Sequence, residues 1–338
     1  GVMLTHRNLL ANALQSSSWT PDTLDGKEIC LCVAPFFHSY GMTVCMNLSI
    51  LAGATMVLMP RFSAKEVVKA IARYHPSLFP GIPTMYVAIM REIKGHANQL
   101  KSIKFCISGA APLPAKVQED FERMSGGKLV EGYGLSEASP VTHTNPLNEN
   151  CVNGSIGLPM PDVEAMIMDR ATNKQLPPGE VCELLVRGPN VMQGYWNRDN
   201  KDVFYEDWFD TGDMAYMDGK GYFYIVDRSK DLIVASGFNV YPREVEEVLF
   251  QHEAVEEAAV IGVPDEYRGE NVVAVIVLKP GFTASEEMRA GIVAHCKRDL
   301  TAYKVPKIVE FRTTLPKSLV GKVLRRELRE SFAKQSEK

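Results

Sequence analysis

The chain has 338 residues, long enough to bury a sizeable core and a soft indication of two domains. With 46% apolar and 23% charged residues it has the composition of an ordinary globular protein, and its net charge of −4 gives no electrostatic basis for binding nucleic acid. Its seven cysteines are scattered. The close pair Cys30 and Cys32 has strand spacing, not the CxxC spacing of metal and redox sites, so they read as reduced core thiols of a cytoplasmic protein. No apolar run approaches the length of a membrane-spanning helix, and the first residues do not read as a signal peptide.

In chain order, a helix is expected from near Thr5. Segments 29–34, 55–59 and 104–108 read as buried strands, and 64–74, 83–93 and 114–124 as helices with apolar residues at helical spacing. That alternation, up to about residue 140, predicts a parallel α/β sheet. From 163 to 226, shorter strands separated by Pro, Gly and Asp turns predict a more antiparallel, barrel-like section. A small α+β unit follows, with helices near 242–252, 285–300 and 324–333 and strands near 257–263, 272–278 and 308–311. Between these parts, residues 221–246 run as a strand, a charged break (Asp227-Arg228-Ser229-Lys230-Asp231), a second apolar strand and a Ser236-Gly237 turn, before Pro242 opens a helix. A charged break with a glycine soon after suits a hinge whose backbone approaches a ligand.

Several stretches carry chemistry. Ser108-Gly109-Ala110-Ala111-Pro112-Leu113 ends a strand and opens a helix, where small residues admit a flat ligand; a plain strand–helix turn has the same pattern. In Glu131-Gly132-Tyr133-Gly134-Leu135-Ser136-Glu137 a ring can stack on a base, a hydroxyl can bond a phosphate oxygen, and a carboxylate can hold Mg²⁺ among phosphates. A glycine-rich turn with a surface glutamate is the plainer alternative. Asp213, after the turn Thr211-Gly212, is a natural acceptor for a ribose diol or a turn residue closing its own loop. His38 lies among aromatics in Pro35-Phe36-Phe37-His38-Ser39-Tyr40-Gly41, and no acid occurs between Pro35 and Thr55 to pair with an ammonium group, which favours an apolar carboxylate substrate. Lys322, in Leu315-Pro316-Lys317-Ser318-Leu319-Val320-Gly321-Lys322, is a long-reaching cation on a loop, or one more solvated lysine.

In this order and spacing the stretches resemble the adenylate-forming superfamily of acyl-CoA synthetases, luciferases and nonribosomal adenylation domains. The wording FNVYPREVEEVL, VPDEYRGENV, AYKVPK and GKVLRREL is similar to bacterial long-chain fatty-acyl-CoA synthetases. The resemblance implies a large AMP-binding domain over 1–229, a small mobile domain over 230–338 and a hinge at Lys230. It assigns Gly109, Ala110, Ala111, Tyr133, Gly134, Ser136, Asp213 and Arg228 to ATP or AMP, Glu137 to Mg²⁺, and Ser236, Gly237 and Phe238 to CoA. His38, Met42, Gly109, Gly132, Pro140 and Val141 fall along the acyl site, with Met42 where some relatives have an aromatic gate, and Lys322, His38 and Glu137 are the implied catalytic groups. Ser136 stands where the pattern usually has threonine. The implied reaction joins a fatty acid to CoA through an acyl-adenylate, with AMP and pyrophosphate released. Gly1 matches the last glycine of a phosphate loop, so that loop is expected before this chain, and the chain alone is expected to bind ATP poorly and not to turn over. An aryl- or medium-chain ligase of the same fold and a non-catalytic binding module are the alternatives. The resemblance is compatible with a monomer or a homodimer, and with peripheral association at the inner face of the membrane.

Overall fold

The computed structural model describes residues 1–20, 26–93, 97–265, 267–318 and 322–336. The chain divides into two units, Gly1–Thr211 with Ala215–Ile225, and Gly212–Met214 with Val226–Lys338.

The first unit opens on the helix His6–Trp19, which Thr5 caps. Its hydroxyl accepts the Asn8 N–H at 3.1 Å, and the Thr5 N–H donates to Asn8 Oδ1 at 2.8 Å. Such caps contribute about 1 kcal/mol. Strand Ile29–Cys32 pairs in parallel with Thr55–Leu58, Leu78 bridges Cys30 to Phe105 in parallel, and Phe105–Ser108 runs parallel to Lys128–Gly134. Three helices accompany this sheet. Ala64–Tyr74 buries Val67, Ala70 and Ile71 as one stripe, Pro83–Glu92 starts on a proline whose missing N–H costs nothing there, and Ala115–Ser125 ends at Gly126 with φ +76°. Their apolar faces close on Leu31, Phe79, Phe121 and Leu129.

Parallel order stops at Lys128–Gly134, which pairs antiparallel with Val141–Thr144, itself antiparallel to Leu158–Pro159. Neither 128–134 nor 141–144 was expected as a strand. The first carries two glycines, and Val-Thr-His-Thr is polar in composition although all four residues are buried. The barrel-like section is a six-stranded sheet in which Glu164–Asp169 pairs antiparallel with both Cys182–Arg187 and Lys174–Gln175. A separate core of Ile167, Leu184, Val186, Phe209 and Phe223 backs it.

The second unit is built on Gly269–Leu278, antiparallel to Val255–Asp265 and parallel to Ile308–Phe311. Its Val272–Ile276 run is apolar at every position because both faces are covered. Val272, Ala274 and Ile276 meet the helices Pro242–Gln251 and Glu286–Asp299, while Val273 and Val275 meet Leu328 and Phe332 of the helix Arg325–Ser336. Among the described residues no helix is long and apolar enough to cross a membrane.

Candidate functional site

In the first unit the His38 turn and the Glu131–Glu137 stretch meet. Ser39 Oγ lies 3.3 Å from Ser136 Oγ. His38 Nδ1 accepts the Tyr40 N–H at 3.2 Å, and the His38 carbonyl accepts the Met42 N–H at 2.9 Å. Met42 stands on the π-helix Gly41–Asn47, a wide turn that the sequence did not announce. Gly132, Tyr133 and Gly134 form the end of a strand and not a glycine-rich turn; Ser136 and Glu137 follow on a single 3₁₀ turn. The Tyr133 ring lies 6.0 Å from that of buried His143, and Ser136 is exposed.

Glu137 is held. The Tyr195 hydroxyl donates to Glu137 Oε1 at 2.6 Å, and the Met192 N–H donates to the Glu137 carbonyl at 2.7 Å. Burial and the adjoining carboxylate push the Tyr195 phenol up to about 12, so it stays a donor through the neutral range. Among the described residues no lysine or arginine pairs with the Glu137 carboxylate. A half-buried anion with one oxygen steadied and no countercharge suits a cation such as Mg²⁺, which takes one or two carboxylates beside waters and phosphates.

Gly109 has a packing reason for its smallness. A Cβ on Gly109 would lie 2.9 Å from the Tyr40 ring, so glycine there makes room for Tyr40, whose hydroxyl bonds the Ile107 carbonyl at 2.6 Å. Ala110 has φ +64° and is exposed, and Ala111 is half-buried beside it. Glu131, buried, anchors the far end of this turn by accepting the Leu113 N–H at 3.1 Å. Gly132 faces Ile107, and a Cβ there would lie a tight 3.0 Å from Ile107 Cγ2. Pro140 and Val141, expected along an acyl channel, are buried. Val141 exchanges backbone bonds with the Asn12 amide at 2.7 and 3.0 Å and packs with Tyr40, Val44 and Cys45.

In the second unit Asp213 and Arg228 come together with Nε to Oδ1 at 3.5 Å, and Asp213 is only 7% exposed. Lys322 joins them. Burial and the like charges of Arg228, Arg325 and Lys230 lower its ammonium to about 8, while Asp213 alone among the main influences pulls the other way. The Lys322 N–H bonds Ser318 Oγ at 3.2 Å and the Lys322 carbonyl accepts the Ser318 N–H at 2.9 Å. Leu319, Val320 and Gly321 lie outside the described residues.

Lys230 sits exposed on the 3₁₀ turn Ser229–Asp231. Asp231 beside it is tied to Arg329 at 2.6 Å, and Arg325 grips Glu246 with two bonds of 2.8 Å. Ser236 and Gly237 have φ +55° and +81° and link Ile233–Ala235 to Phe238–Val240 as a two-residue hairpin that needs left-handed backbone at both positions. At its tip Phe238 is 54% exposed and stacks on Tyr303 at 4.6 Å, and Arg268 Nε donates to Ser236 Oγ at 3.0 Å. Tyr195, Arg325 and Arg268 were not picked out from sequence, since nothing local marks them.

The AMP-binding enzyme family matches residues 1–196, and the AMP-binding enzyme C-terminal domain matches 244–322. The chain belongs to the AMP-binding enzyme family. It is 50% identical over 332 residues to the long-chain-fatty-acid–CoA ligase of Bacillus subtilis (strain 168), an alignment covering 98% of this chain and 59% of that protein. It therefore spans under two thirds of the length of that relative. Among solved structures, ATP-bound MatB from Rhodopseudomonas palustris superposes with a TM-score of 0.91 at 33% identity, covering 98% of this chain and 65% of that one. The o-succinylbenzoate coenzyme A synthetase of Bacillus subtilis, in complex with ATP and a magnesium ion, superposes with a TM-score of 0.84 at 32% identity, covering 97% of this chain and 66% of that one. The α/β large part, the barrel-like section and the small α+β unit are thus the fold of this family.

Proposed function

We propose that this chain carries the adenylating and thioester-forming parts of an AMP-forming long-chain fatty-acid–CoA ligase. The observation that carries the reading is the 50% identity to a ligase of that name across 98% of the chain. The geometry is consistent with a division of roles. In the first half-reaction a fatty carboxylate oxygen attacks the α-phosphorus of ATP and pyrophosphate leaves. Such transfers depend on positioning and on neutralising charge. Glu137, steadied by Tyr195, would hold a Mg²⁺ ion, which would supply neutralisation of phosphate charge. Asp213 and Arg228 hold the ribose, Ala110 and Ala111 border the adenine with Tyr133, and Ser136 donates to a phosphate oxygen. Lys322 supplies the cation at the α-phosphate.

In the second half-reaction the CoA sulfur attacks the acyl carbon and AMP departs. The hairpin Ser236-Gly237-Phe238 serves this step, with Phe238 offering an exposed aromatic face. Lys230 is the hinge between the large domain (1–229) and the small one (230–338), so that Lys322 and the hairpin act in turn. His38 and Met42 flank the acyl chain, and the absence of an acid between Pro35 and Thr55 leaves no partner for a substrate ammonium.

The test joins this chain to the segment that precedes its counterpart in the Bacillus relative and assays fatty, aryl and amino acids with ATP, Mg²⁺ and CoA. Fatty-acyl-CoA with release of pyrophosphate is expected. Preference for aryl acids transfers the assignment to an aryl ligase, and amino-acid activation without thioester sinks it.

A further inference from the structure

The strand spacing of Cys30 and Cys32 concealed a third partner. The π-helix Gly41–Asn47 turns Cys45 onto the same side, and the three sulfurs lie within 4.8 Å of one another, with Cys30 and Cys32 at 3.7 Å. All three residues are 2% exposed or less. A metal–sulfur bond of about 2.3 Å places three coordinating sulfurs roughly 3.8–4.0 Å apart, so an ion fits here with small side-chain adjustment. Ser49, one helical turn beyond Cys45, supplies a second observation. Its hydroxyl is buried and has no hydrogen-bond partner.

We propose that Cys30, Cys32 and Cys45 form a three-thiolate site for one thiophilic divalent ion of the zinc class, with the Ser49 hydroxyl as the fourth donor. Charge decides the valence. The surrounding cluster includes Val44, Leu78 and Val141 and is apolar. Three thiolates around a divalent ion leave one negative charge, as in a Cys₃His zinc site, whereas a monovalent ion leaves two in an apolar core. Binding converts three thiols and one ion into the trithiolate complex and releases three protons. The ion ties the strand Ile29–Cys32 to the helix that carries Met42. Because the sulfurs are buried, it loads as the chain folds.

The test refolds the protein under reducing conditions with Co²⁺ as the spectroscopic probe. One Co²⁺ per chain is expected, with tetrahedral d–d bands, thiolate-to-cobalt charge transfer and about three protons released per ion. Cys45→Ser should cut the charge-transfer intensity by about a third and weaken binding at least tenfold, while Cys296→Ser, a buried cysteine of the second unit, leaves both unchanged. If Cys45→Ser fails to fold, Cys32→Ser takes its place. Co²⁺ should also raise the melting temperature of the parent but not of Cys45→Ala. An octahedral spectrum without charge transfer, or an undiminished band in both serine variants, overturns the proposal.

Discussion

Glu137 in the first unit and Lys322 in the second are the two charged groups assigned to the phosphates, and their surroundings differ in kind. Glu137 accepts a 2.6 Å hydrogen bond from a phenol, a neutral donor. Lys322 is lowered first by burial and then by neighbouring charges mostly of its own sign, so its ammonium falls to about 8. One group is preorganised and the other is frustrated until an anion arrives. In the proposed role, a nucleotide that brings negative charge would raise the Lys322 ammonium and hold its proton to higher pH, which makes the cation responsive to substrate.

The largest expected effect tests that responsiveness. In the fused enzyme described above, Lys322→Ala should cut adenylate formation by about 10²–10³-fold, the scale of losing one group aimed at developing charge. Thioester formation from supplied acyl-adenylate should stay near its starting rate. Equal losses in both half-reactions mean that the lysine is structural.

The next effect is in pH. Lys322 carries its proton below about 8, so kcat/KM for ATP in the adenylation step should fall as pH rises through that value. The fall in kcat should come at higher pH, because bound phosphates raise the ammonium again. Folding runs in the opposite sense. The folded pKa lies below the ordinary value of 10.5, so the cost of the charged lysine is present in full below about 8 and disappears as pH rises towards 10.5. Lys322→Met should therefore stabilise the protein by about 1–2 kcal/mol at pH 7, after solvent screening, and by nothing at pH 11. Urea titrations at the two pH values decide this, and a destabilised variant at pH 7 refutes the frustrated-charge account.

Asp213 sharpens the contrast, because its carboxylate opposes the lowering of Lys322. Asp213→Ala should weaken nucleotide binding by about 1.5–3 kcal/mol and move the pH limb of kcat/KM below that of the parent. Unchanged ATP affinity with impaired folding leaves Asp213 as a structural residue of the strand Trp208–Met217 only.

Local patterns explain what was legible in the sequence. The helix Ala64–Tyr74 and the strand Ile308–Phe311 fall where periodicity placed them, because a stripe such as Val67, Ala70 and Ile71 fixes one buried face. Polar strands escaped: Val141–Thr144 is fully buried, yet three of its four residues, Thr142, His143 and Thr144, are polar. Pairings across the chain escaped for another reason. Tyr195 is 58 residues from Glu137 and Arg325 is 79 from Glu246, so no window of sequence contains both members. Cys45 was missed because only close cysteine pairs were weighed, and a π-helix alters the spacing at which a side chain returns to one face. Tyr40, whose ring needs the space at Gly109, is 69 residues away and could not be read from that stretch.

The smallest effect concerns the preorganised side of the comparison. Tyr195→Phe keeps the ring, its packing and the Tyr195 backbone bond to Asn200, and removes only the hydroxyl that steadies Glu137. Groups that orient a metal-binding carboxylate typically contribute 10–100-fold in affinity, and a phenol on one oxygen of a half-buried glutamate should lie near the lower end, about tenfold. Titrating Mn²⁺ by electron paramagnetic resonance, with a non-hydrolysable ATP analogue and no acyl substrate, reads this without turnover. The pH limb assigned to Lys322 should not move, because the two groups are controlled separately. The phenol offers its own check: when a cation binds Glu137, the carboxylate repels a tyrosinate less, so the Tyr195 titration should drop from about 12 on adding Mg²⁺ with the analogue. A difference absorbance titration against Tyr195→Phe isolates that one phenol. If Mn²⁺ affinity is unchanged and the phenol ignores the metal, Glu137 does not hold the ion, and the fixed partner of the comparison is a structural hydrogen bond.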